Sequence, residues 1–158
     1  MGLTSNFVTE RSLGTIKANS SMIFSINGVR VPTPNYITCI VSDFTWGNTD
    51  YTGAWVGYNI RRRRKVYWNY TASKKDDVYD IYNLIENQYK NNKGNMFFTI
   101  KTPFIGTDSL TMTMYKGDTT QYEPVLSNGT DGVVLWKYQL NWIEKAGIKF
   151  AEPGAIPT

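Results

Sequence analysis

Histidine is missing altogether, and cysteine occurs once, as Cys39, among 158 residues. Without imidazole the chain lacks the usual general base, the usual zinc ligand and every Ser-His or Cys-His nucleophile pair. A single thiol excludes an internal disulfide and gives no sign of an oxidising compartment. Cys39 stands inside the apolar run Tyr36–Ser42, so a buried, inert thiol is the expected state. Long apolar runs are absent as well: no window approaches the ~20 residues a membrane helix needs. The N-terminus shows no apolar signal region, and Asn6 stands where a myristoylation site needs Ser or Thr. Asn19, Asn69 and Asn128 match the glycosylation pattern, which without an export signal reads as chance.

Carboxylates offer no chemistry either. Asp43, Asp50, Asp108, Asp118, Glu123, Asp131 and Glu144 fall mostly in turn-like contexts, and no spacing selects two of them for glycosidase-type work. Asp76, Asp77 and Asp80 lack the glycine and terminal glutamate of a calcium loop. The expectation is a non-enzyme without metal or cofactor. No internal repeat or low-complexity segment is visible.

What is present is hydrophobic patterning, and most of it has period two. The exception is Ser73–Asn92, where Val78, Ile81, Tyr82, Ile85 and Tyr89 recur at spacings of three and four. This predicts a helix over 74–92. Ser73 with Asp76 resembles a capping box, Asp76 and Asp77 suit the positive end of the helix dipole, and Gly94 supplies a left-handed stop.

Around that helix the pattern predicts strands. Residues 1–20 read as an extended arm, with a short strand at most, that need not pack on its own domain. Met22–Val31 is a hairpin turning at Asn27-Gly28, both of which accept positive φ. Pro32 and Pro34 end it. Tyr36–Ser42 is a central strand, followed by a loop, Asp43–Gly53, that carries Phe44, Trp46 and Tyr51. Ala54–Tyr70 gives one or two strands, with Arg62 and Arg64 on the face of Val66, Trp68 and Tyr70. Met96–Ile100 is a strand stopped by Pro103, and Ser109–Lys116 turns inward Leu110, Met112 and Met114. A weaker strand near Gln121–Leu126 and a turn at Ser127–Gly132 lead to Val133–Glu144, with Trp136, Tyr138, Leu140 and Trp142 inward. A tail, residues 147–158, closes the chain. The fold class is therefore mainly β with one helix: a single antiparallel β-sandwich or barrel domain, residues 21–146, flanked by the helix.

Two surface features stand out. Arg61-Arg62-Arg63-Arg64-Lys65 holds most of the excess in a net charge of +4. It is a candidate strip for nucleic-acid phosphates, with Tyr67, Trp68 and Tyr70 nearby to stack bases. Equally, it is a strand whose cations alternate sides and pair with acids of a neighbouring chain. The Phe44/Trp46/Tyr51 loop is a candidate contact surface for protein, or a sugar-stacking platform.

In order along the chain come the Asn27-Gly28 hairpin with Val31-Pro32-Thr33-Pro34, a strand ending in Asp43, and a loop with Gly53. Then follow Arg63-Arg64-Lys65-Val66-Tyr67-Trp68 running into the helix, and Phe97-Phe98-Thr99-Ile100. Last come Thr113-Met114-Tyr115-Lys116-Gly117-Asp118 and Trp136–Lys145. Over residues 22–146 this succession resembles a family of small tail-region proteins of long-tailed (siphovirus-like) bacteriophages infecting Gram-positive bacteria. The Tyr-x-Gly-Asp turn and the strand-final Ile143-Glu144-Lys145 are its most telling parts. The resemblance implies a tail-tube-like fold and a virion structural role as tail tube or tube-like baseplate or adaptor subunit. It further implies rings of the chain itself, usually hexameric, and contacts with other tail proteins. DNA would pass through the lumen without specific binding, and assembly would take place in the host cytoplasm, with no membrane involved. Tube lumens in such proteins tend to be acidic, so the basic strip is expected to face a neighbouring subunit. The alternatives are a single-stranded nucleic-acid-binding β-barrel and a carbohydrate-binding module at the tail tip.

Overall fold

The computed structural model of the chain describes residues 4–91, 93–118, 122–130 and 132–150. In chain order these form β1 (Thr4–Lys17), β2 (Ser25–Ile26), β3 (Val29–Arg30), β4 (Tyr36–Thr49), β5 (Trp55–Lys74) and α1 (Lys75–Asn91). After the helix come β6 (Phe97–Phe104), β7 (Thr107–Lys116), β8 (Glu123–Asn128), β9 (Gly132–Glu144) and β10 (Ile148–Lys149). All ten strands belong to one antiparallel sheet of order β1-β4-β5-β9-β7-β6-β2-β3, with β8 added to β9 and β10 to β5. The mainly-β class with one helix is what the structure shows.

The sheet folds over so that distant strands pack face to face. In the strand order β5 and β2 are separated by β9, β7 and β6, which in a flat sheet would hold them about 19 Å apart. Yet Phe24, just before β2, meets the ring of Trp68 on β5 edge-on at 5.4 Å, and the Trp68 Nε1–H donates to Thr102 Oγ1 on β6 at 3.0 Å. Trp68 also meets Trp142 of β9 at 5.6 Å, and Trp142 meets Phe98 of β6 at 5.3 Å. These edge-to-face contacts add to the burial of large apolar surface. All four rings are at most 1% exposed, so they form the centre of the core.

The helix covers the open side of this core with Val78, Ile81 and Ile85 buried and Tyr89 edge-on to Phe98 at 5.7 Å. Two helix expectations need correction. Tyr82 is not on the buried face; it is 48% exposed, and Leu84 packs against the core in its stead. Ser73 is not a cap but a buried strand residue opposite Trp136, because β5 runs straight into α1. The stop at Gly94 is as expected: φ is +83° there, and its N–H donates to the Tyr89 carbonyl at 2.7 Å.

The Asn27-Gly28 hairpin forms with both residues at positive φ. Asn27 does more than turn the chain. Its Oδ1 accepts from the Thr99 N–H at 2.8 Å and its Nδ2 donates to Gln88 Oε1 at 3.0 Å, tying hairpin, β6 and helix together.

Three strand boundaries differ from the sequence reading. The arm is a full 14-residue strand, β1, laid along β4 of its own chain. A register shift between Ser12 and Gly14, with Gly14 at φ +118°, changes the side-chain parity there. Leu13 and Ile16, three residues apart, thus both pack on the core. Pro103 does not stop β6: it sits at a bulge between Thr102 and Phe104, where its missing donor is not needed. The tail turns back to pair Ile148 and Lys149 with Arg62 and Arg61, while residues 151–158, like 1–3, lie outside the described residues.

Candidate assembly interface

The expected loop Asp43–Gly53 is mostly strand. β4 continues to Thr49 and pairs with β5 as far as Thr49–Trp55, so only residues 50–54 turn. Phe44, Thr45 and Trp46 are aromatic and β-branched, and once paired they extend the ladder rather than leave it. Phe44 and Trp46 therefore do not share a loop with Tyr51. Phe44 lies under the Arg63 guanidinium at 4.6 Å, Trp46 packs on Tyr58 at 5.4 Å, and Tyr51 sits alone in the turn, 91% exposed.

The result is a ribbon. β9 reaches along β5 only as far as Lys65, and β10 only to Arg61 and Arg62. Beyond them, residues 55–59 of β5 pair with β4 alone, and β4 with β1 on its other side. At the tip Asp50 Oδ1 accepts from the Thr52 N–H (2.9 Å), the Thr52 hydroxyl (2.6 Å) and the Ala54 N–H (3.0 Å). These bonds, Thr52's hydroxyl first, hold the Asp50 carboxyl below its ordinary pKa. The Trp55 ring lies across Gly47 and Gly57, in space that a Cβ at either position would fill. Tyr51, Trp55 and Val56 expose apolar side chains at the tip beside Asp50 and Thr52, and Val8 adds another on β1. The outer edge of β1 has no strand beside it among the described residues.

The basic strip lies where the ribbon leaves the body, and each of its cations has a partner in the chain. Arg61 donates to the Ala146 carbonyl. Arg62 Nε meets Asp43 Oδ1 at 2.6 Å, with Arg11 on the same carboxylate at 3.4 Å and the Phe150 ring 5.6 Å from the Arg62 guanidinium. Arg63 stacks on Phe44 and donates to Tyr115 Oη at 3.1 Å. Arg64 makes a two-pronged contact with Glu144, Nη2 to Oε1 at 2.6 Å and Nε to Oε2 at 3.0 Å, while its backbone N–H donates to Oε2. Hydrogen bonding to Glu144 pushes the Arg64 pKa up. Lys65 reaches Glu10 at 3.2 Å. As expected, Arg62 and Arg64 share the face of Val66 and Trp68, and Arg61, Arg63 and Lys65 take the other. Arg62, Arg64 and Lys65 thus meet carboxylates, whereas Arg61 and Arg63 are held by uncharged partners and keep their charge.

Sequence reasoning missed a second surface. Between helix and sheet, Val78, Tyr79, Tyr82, Tyr122 and Trp136 line an open groove of about 260 Å³. The sequence carries no separate signal for it, because Tyr82 stands at the spacing of the buried helix face although it is 48% exposed. Among the described residues no group of acids and Cys39 could hold a metal ion, and no helix is long and apolar enough to cross a membrane. Fold and surface together define an antiparallel β domain with a projecting ribbon and one covering helix. No protein-family model, curated protein or solved structure matches the chain.

Proposed function

We propose that this chain is a structural assembly subunit, a tail-tube or tube-like baseplate or adaptor protein of a long-tailed bacteriophage. In this reading it forms rings with its own copies, meets other tail proteins above and below, and surrounds the passage taken by DNA. The observation that carries the proposal is the three-stranded ribbon, which ends in exposed apolar side chains and is bordered by the 14-residue β1, whose outer edge has no strand beside it among the described residues. An open edge of that length is an aggregation hazard in a solitary protein and an asset in one that pairs with neighbours. The resemblance of residues 22–146 to tail-region proteins supports the same reading.

Sedimentation velocity on the purified chain, with negative-stain microscopy of the same sample, tests this. Rings or short tubes are expected at micromolar concentration and above. A monomer that persists over that range, whatever the salt, would overturn the proposal.

A further inference from the structure

Residues directly opposite each other in antiparallel strands share one side of the sheet, so the registers sort the strand residues by face. One row runs Lys17, Tyr36, Asn69, Gln139 across β1, β4, β5 and β9, and the next runs Thr15, Thr38, Tyr67, Asn141. Lys65 and Arg63 continue the same face along β5. The opposite face holds the buried Ile37, Val66, Trp68 and Leu140 and is the one the helix covers. We propose that the outer face of the sheet is a platform for single-stranded nucleic acid, holding phosphates with Lys17, Arg63, Lys65 and Lys137 and stacking bases on Tyr36 and Tyr67. This goes beyond the assembly reading and does not depend on it.

Charge selects a polyanion. Lys17, Lys137 and Lys145 meet no carboxylate among the described residues, and Arg63 is held only by Phe44 and the Tyr115 hydroxyl. Lys145 lies 4.3 Å from the centre of the Phe97 ring, and Phe97 pairs with Tyr115 on this same face. The acids here are fewer: Glu10 reaches Lys65 in an exposed pair of the weak kind, Glu123 stands opposite Lys137, and Asp118 borders Asn141. The helix, on the other side, carries Asp76, Asp77, Asp80 and Glu86 against Lys75 and Lys90, so the two sides of the molecule differ in sign.

Rings select nucleic acid among polyanions. Tyr36 is 41% exposed and Tyr67 half-buried, and among the described residues neither packs on another ring. They are diagonal neighbours across β4 and β5, roughly 7–8 Å apart, a step that one extended nucleotide spans. A duplex hides its base faces, whereas an unpaired base stacks on such a ring whatever its identity. Trp68 and Tyr70, which the sequence offered beside Tyr67, lie in the core and take no part. The platform is also preformed. The Thr15 and Thr38 hydroxyls lie 3.1 Å apart, Asn69 Nδ2 donates to Thr38 Oγ1 at 3.3 Å, and Gln139 Nε2 donates to Asn69 Oδ1 at 2.6 Å. Side chains thus bridge four strands, which leaves little to order on binding.

Fluorescence anisotropy with a labelled thymidine dodecamer tests this on the full chain, using heparin and a duplex as comparison probes. Micromolar or tighter binding is expected at low salt, weakening as salt rises. Lys17→Gln with Lys137→Gln should lower the slope of log affinity against log salt by about 1.4, as for two phosphate contacts at ~0.7 each. Tyr36→Leu with Tyr67→Leu should weaken dodecamer binding at least about tenfold and leave heparin binding unchanged. Circular dichroism melts confirm folding, and Tyr36→Leu alone, at an exposed position, carries the ring test if the double variant does not fold. No dodecamer binding at low salt overturns the proposal. So does binding that ignores the loss of the rings, or that is tighter for duplex or heparin, since the face would then be a site for charge alone. Anisotropy is read on every fraction that sedimentation separates, so failure here leaves the assembly reading standing, and failure to assemble leaves this one.

Discussion

At the scale of single residues, burial decides most outcomes. Cys39 is fully buried and its pKa is raised by that burial, so thiolate is scarce in the folded chain. An aromatic disulfide reagent at pH 8 should leave Cys39 unlabelled in native buffer and label it fully in denaturant; rapid native labelling would contradict this. Trp142 and Trp136 share a strand face but not a fate. Trp142 is fully buried, and Trp142→Ala should cost about 3–5 kcal/mol in a urea titration. Trp136 is half-buried at the groove, and Trp136→Ala should cost distinctly less. Glu144→Gln leaves the half-buried Arg64 guanidinium without its anion, at a cost of about 2 kcal/mol after allowance for the water that still reaches the pair. An unchanged midpoint would mean that the pair contributes nothing.

At the scale of elements, turns and registers carry the information. Asn27 serves its own turn, β6 and the helix at once, so Asn27→Ala strands the Thr99 N–H and removes one hydrogen bond from the Gln88 side chain. The expected loss is about 1–3 kcal/mol, read from chemical denaturation; a loss no larger than that of an exposed turn position would refute the cross-link. This hairpin, the helix with its Gly94 stop and the inward faces of β7 and β9 were legible because each follows one period, ending at a residue with one physical meaning. What was not legible lies where parity breaks. Gly14 shifts the register of β1, so Leu13 and Ile16 look unpatterned although both pack on the core. Pro103 read as a stop, whereas a bulge absorbed it. Gly47, Asn48 and Thr49 read as loop because nothing local says that Trp55 will fill the space above Gly47. The groove escaped for a related reason: its wall comes from three elements far apart in sequence, and only packing brings Tyr82, Tyr122 and Trp136 together.

At the scale of the whole molecule, three of the cations of residues 61–65 are paired with carboxylates of the chain, while the far end of the ribbon offers rings to whatever it meets. Contacts made through such a tip gain strength from the release of hydration water, which grows on warming and in the presence of excluded salts. Light scattering should therefore rise when a concentrated sample goes from ice to room temperature, and rise again with added sulfate. A signal that falls on both treatments would point to attraction between charges. The indole plate resting on its two glycines thus has a practical corollary for anyone handling this protein. Chilled, dilute, low-sulfate buffer would be the way to keep the pieces separate, and gentle heat the way to let them build.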